Sequence, residues 1–110
     1  MAKQQPLYQD KRLVIDYLPQ SPEDYQLIIK RKSGEETGQI LQRGVLGDLA
    51  KTSRERLETK IDTINPVLLH ELRLEKIGMD WLHVALCQAH MEEERRLSDS
   101  AAKMRAKSCS

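Results

Sequence analysis

Two short runs of β-branched and aromatic residues open the patterned part of the chain. Arg12-Leu13-Val14-Ile15-Asp16-Tyr17-Leu18 reads as a strand, and it stops at Pro19-Gln20-Ser21-Pro22-Glu23-Asp24, where two prolines and short polar side chains favour a turn. Alternation resumes in Tyr25-Gln26-Leu27-Ile28-Ile29-Lys30-Arg31-Lys32, which puts Tyr25, Leu27 and Ile29 on one face of a second strand, and Ser33-Gly34-Glu35-Glu36-Thr37-Gly38 predicts another turn. Together the two runs predict a hairpin. Residues 39–51 fit either a third strand through Ile40 and Leu41 or the entry to a short helix through Leu46, Leu49 and Ala50, and Gly44 and Gly47 weaken both.

From Thr52 the period lengthens to that of a helix. Thr52 with Glu55 three residues on matches a capping box, and Leu57, Ile61 and Ile64 then share one stripe. Asn65-Pro66 interrupts the pattern: proline lacks an amide hydrogen and disfavours helix in the residue before it, yet suits the first position of a new helix capped by Asn65. The spacing predicts one long helix from Pro66 to about Arg96. Its apolar residues Leu68, Leu72, Leu74, Ile77, Trp81, Val84, Ala85 and Met91 spread over more than one narrow stripe. Glu92 and Arg96 can pair across one turn before Ser98-Asp99-Ser100 offers a break.

These elements predict an α+β fold, an N-terminal β-hairpin with a third short strand left open, followed by a helical hairpin with one long C-terminal helix. Residues 1–10, polar and without a period, read as a loose arm; 11–98 form one small domain; 99–110 read as a fraying basic tail. With 110 residues, 39% apolar and without a phenylalanine, the chain must build a small core from Leu, Ile and Val, so a second copy or another protein is expected to cover part of its surface. Mean hydropathy of -0.61 and a charged fraction of 32% exclude a membrane span, and the polar start Met1-Ala2-Lys3-Gln4-Gln5-Pro6 lacks the apolar core of a signal peptide, so a cytoplasmic location is expected. Two cysteines, Cys87 and Cys109, cannot make a multi-bridge framework and are expected as free thiols.

Charge and chemistry then narrow the function classes. His83, Cys87, His90 and Glu94 recur at helical spacing and are all zinc ligands by type, but about 1.5 Å of rise per residue separates His83 from His90 by roughly 10 Å, so only a pair could chelate without help from His70 or Cys109. No cofactor or metal is expected. The serines fall in turns, caps and the tail with no glycine-flanked elbow, and the paired acids Glu35-Glu36 and Glu92-Glu93-Glu94 lie in charged stretches, which argues against an enzyme. Arg95-Arg96-Leu97-Ser98 matches a basophilic kinase pattern, one too short and common to carry weight.

The expected function is therefore a non-enzymatic regulator, an adaptor or inhibitor, that binds another protein through the long helix at Leu74, Ile77, Trp81, Val84 and Met91. Small, highly charged chains of this size also occur among phage and mobile-element products directed at host machinery, an association from size and composition alone. The alternative is a small dimeric DNA-binding regulator that uses Lys30, Arg31 and Lys32 at the hairpin end or Lys103, Arg105 and Lys107 in the tail. Against it, 18 basic and 17 acidic residues leave a net charge of only +1.

Overall fold

A computed structural model describes residues 5–42 and 44–109, with side chains for all of these except 22, 23 and 100–109. Four strands, β1 (Tyr8–Gln9), β2 (Leu13–Leu18), β3 (Ser21–Lys30) and β4 (Glu36–Leu41), form an antiparallel meander in the order β1-β2-β3-β4. Four helices follow: α1 (Val45–Lys51), α2 (Arg54–Ile64), α3 (Pro66–Leu74) and α4 (Met79–Cys109). The fold is α+β.

Period-2 alternation places Leu13 opposite Ile29 and Ile15 opposite Leu27, and all four are fully buried on the face that the helices cover. Tyr25, Leu27 and Ile29 share this face as their spacing predicts. The first turn is tighter than its prolines suggest. It occupies only Pro19 and Gln20, because the ladder slips between Tyr17 and Leu18 and brings Ser21 opposite Leu18. The open segment 39–51 resolves into both alternatives, β4 and then α1, with Gly44 between them at φ 87, a left-handed conformation that costs glycine nothing.

Three sequence expectations are corrected. The loose arm ends early: Leu7 is 5% exposed in the core, and Tyr8–Gln9 pairs with Ile15 and Val14 as an edge strand. The Thr52/Glu55 capping box is absent. Thr52 instead caps the C-terminus of α1, its hydroxyl donating to the Asp48 carbonyl at 2.7 Å, while Ser53 precedes α2 with no side-chain cap. The Asn65-Pro66 junction forms as expected, with Asn65 Oδ1 accepting from the Leu68 amide at 3.1 Å.

The third correction is the long helix, which breaks between Leu74 and Met79. The Ile77 amide donates back to the Leu72 carbonyl at 2.9 Å and the Lys76 amide to Arg73 at 3.1 Å, with Lys76 left-handed at φ 57. This is a Schellman motif. It folds Ile77, 3% exposed, against the fully buried Leu72, the apolar contact such a motif uses to stop a helix. A lysine replaces the usual glycine at the left-handed position, so the break carries no glycine signal until Gly78.

The core is built of Leu, Ile and Ala. Leu82, Ala85, Leu86 and Ala89 are fully buried at i, i+3, i+4 and i+7 along α4 and meet Leu46 and Leu49 of α1, Leu57 and Ile61 of α2, and the sheet. No helix among the described residues is long and apolar enough to cross a membrane.

Candidate functional site

The five residues expected to bind a partner do not form one patch. Ile77 belongs to the core. Trp81 is half-buried against it, and its Nε1 donates to Asp10 Oδ2 at 3.0 Å and to Tyr8 Oη at 3.2 Å. Tyr8 also donates to Asp10 Oδ2, at 2.9 Å, so indole, phenol and carboxylate make one latch that fastens β1 to α4. The backbone amide of Lys11 and then the Tyr8 hydroxyl hold the Asp10 carboxyl below the usual carboxylate range, and burial pushes the Tyr8 phenol up. Only Leu74, Val84 and Met91 remain free, at 53%, 50% and 67% exposure.

Val84 and Met91 lie seven residues apart on the outward stripe of α4, with exposed Gln88 and Arg95 at the neighbouring positions of that stripe. Leu74 lies elsewhere, at the end of α3. Arg96 is the last described side chain of α4 with a contact to another element, donating to the Gln5 and Pro6 carbonyls and at 3.1 Å to Glu92. Leu97, one residue further, is 62% exposed.

The basic hairpin end is largely consumed by structure. Arg31 Nε donates to Thr37 Oγ1 at 3.0 Å, its Nη2 pairs with Glu71, and its Nη1 lies 3.7 Å from Glu75. Arg12, which carried no sequence signal, joins the same cluster: its Nη2 reaches the Glu75 carboxylate at 3.0 Å and the Glu75 carbonyl at 3.2 Å, and its Nε donates to the Lys30 carbonyl at 3.0 Å. Four groups thus staple the hairpin to the end of α3. Lys30 is half-buried, and Lys32 is exposed without an ion pair among the described residues. The side chains of Lys103, Arg105 and Lys107 lie outside the described residues.

The His83, Cys87 and His90 face packs onto α1 rather than opening to solvent. His83 Nε2 donates to the Thr52 carbonyl at 3.0 Å, and Cys87 Sγ lies 3.5 Å from the Ala50 carbonyl and 3.8 Å from His83 Nε2. His90 Nε2 meets Glu94 at 3.0 Å, while the His90 ring sits so close to Gly47 that a Cβ there would lie 3.3 Å from Cε1. Among the described residues no three His, Cys, Asp or Glu side chains converge as a metal site.

Two tyrosines form a further cluster with no counterpart in the sequence reading. Tyr17 Oη donates to Glu93 Oε2 at 3.3 Å, Tyr25 Oη donates to the same oxygen, and the rings lie 5.5 Å apart. Burial, then the Glu93 charge, pushes the Tyr17 hydroxyl up, away from the range in which a phenolate could act. The cluster holds the middle of α4 to the sheet. Glu92 beside it is held down by Arg95 and Arg96.

A groove of about 1020 Å³ lies between α1 and α2, lined by Lys51, Arg56 and Lys60 together with Asp48 and Glu55. Mixed charge gives it no dominant chemistry. No protein-family model, curated protein or solved structure matches the chain.

Proposed function

We propose that this chain is a protein-binding module, a small adaptor or inhibitor, that engages its partner along α4. The observation that carries this reading is the set of exposed apolar side chains on α4: Val84, Met91 and Leu97 are 50%, 67% and 62% exposed along a helix of 31 residues, about 46 Å at 1.5 Å per residue. A partner surface that covers these side chains removes their apolar area from water, which favours binding. Val84 and Met91, seven residues apart, share one outward stripe of the helix. Sequestration of Arg12 and Arg31 by Glu71 and Glu75 lowers the field available to a phosphate backbone and weighs against the nucleic-acid alternative.

The test is capture of binding proteins by the full chain and by a Val84→Glu/Met91→Glu/Leu97→Glu variant, with thermal midpoint measured alongside. Exposed substitutions shift stability by about 0.5 kcal/mol or less each, so the variant keeps its fold while losing the captured protein. Capture that survives in the variant, or a bound fraction that is nucleic acid released steeply by salt, overturns the reading.

A further inference from the structure

Near the start of α4, the β3–β4 turn meets the Schellman motif that follows α3. A cleft of about 300 Å³ lies between them, walled by Arg12, Arg31, Lys32, Leu74, Glu75 and Lys76. The two expectations drawn from the sequence meet here, since Leu74 was expected to bind protein and Arg31 and Lys32 to bind phosphate.

The two arginines are fixed by Glu71 and Glu75 and form a rigid wall, 24% and 26% exposed. Lys32 and Lys76 are exposed and have no ion pair among the described residues. Four cations against Glu35, Glu71 and Glu75 leave the cleft with a surplus of one positive charge, carried by the two exposed lysines. Lys76 is also the only described non-glycine residue with positive φ, so a cation stands where glycine would fit with less strain. Leu74 supplies an apolar lip at 53% exposure.

We propose that this cleft binds an acidic polypeptide segment bearing one apolar side chain, its carboxylates on Lys32 and Lys76 and its apolar residue on Leu74. A nucleic-acid strand fits less well. No aromatic side chain among the described residues lines the cleft to stack a base, and Glu35 and Glu75 line it together with the cations, so a continuous row of phosphates would meet two carboxylates. Carboxylates spaced along a peptide can alternate with those acids. The site is separate from the α4 surface: Val84, Met91 and Leu97 lie 5, 12 and 18 residues, roughly 8, 18 and 27 Å, from the start of that helix, and none of them lines the cleft.

The experiment uses the full chain and a fluorescein-labelled nonapeptide of glutamates with a central leucine, read by anisotropy at low salt. An alanine-centred peptide of the same charge is expected to bind about fivefold more weakly, the loss of one half-buried apolar contact. A Lys32→Ala/Lys76→Gly variant is expected to bind the leucine peptide about tenfold more weakly. Lys76→Gly removes the charge at a position that glycine fits without strain, so its thermal midpoint should not fall and misfolding cannot explain the loss. Amide shifts on binding should fall within 31–35 and 74–77. The Val84→Glu/Met91→Glu/Leu97→Glu variant should bind the peptide as wild type does, which separates this site from the α4 reading. Absence of saturable peptide binding, wild-type affinity in the lysine variant, loss of binding in the α4 variant, or tighter binding of an oligothymidylate of equal charge overturns the proposal.

Discussion

Ile77 and Leu74 are both apolar, three residues apart, and equally suited by sequence to a partner surface, yet the Schellman motif sends them in opposite directions. Ile77→Ala removes three buried methyl or methylene groups at 3% exposure. At about 0.8 kcal/mol each that is roughly 2.4 kcal/mol, and the cavity left against Leu72 raises it to about 3 kcal/mol. For a domain of this size, each kcal/mol moves the thermal midpoint by roughly 4 °C, so a fall of about 12 °C is expected. Leu74→Ala, at 53% exposure, loses less than half of the corresponding transfer energy and leaves no cavity, so its midpoint should fall by about 4 °C at most. Differential scanning fluorimetry on the two variants and wild type decides it. Equal shifts, or an Ile77→Ala shift under about 4 °C, would mean that Ile77 does not pack under the helix stop and that α3 and α4 run on as one helix.

The Asp10 latch has a pH signature. Because its carboxyl is held below its ordinary range, it contributes stability that is present above the unfolded value and lost as pH falls through the lower folded value, so Asp10→Asn should flatten the acid limb of the stability curve, with Trp81 fluorescence as the probe. Asn65→Ala should cost about 1 kcal/mol through the lost cap on the Leu68 amide, whereas Glu55→Gln should be near neutral by chemical denaturation, since no capping box forms; a Glu55 effect as large as that of Asn65 would contradict the helix boundary at Ser53. Chelator should leave the thermal midpoint unchanged, and one zinc per chain by elemental analysis would contradict the packing of His83 and Cys87 on α1.

Strands β2 and β3, the Asn65-Pro66 junction and the buried Leu57 and Ile61 of α2 were legible because each rests on local chemistry: alternation, a proline, a period of 3.6. What escaped the sequence depends on partners distant along the chain. Leu7 and Tyr8 sit in a short polar segment, and only pairing with β2 and the Trp81 indole gives them structure. The α3 end was hidden because its left-handed residue is Lys76, a type with no preference for that conformation. Trp81 and Ile77 read as interface anchors since helical period records amphipathicity but not which apolar face meets the core. Arg31 looked like free charge because its counter-ions Glu71 and Glu75 lie forty or more residues on.

The latch between β1 and α4 also bears on the order in which the protein can be completed during synthesis. The strands β3 and β4 each pair with the strand made just before them, so β2, β3 and β4 can assemble as they emerge from the ribosome. Tyr8 must wait 73 residues for Trp81, and the Gln5 and Pro6 carbonyls wait longer for Arg96. A nascent chain halted within α3 therefore holds three strands of the meander with their apolar face still open to solvent, and α4 is the element that closes it. Pulse proteolysis of stalled chains should show protection of the N-terminal segment arriving in one late step, once α4 has cleared the exit tunnel.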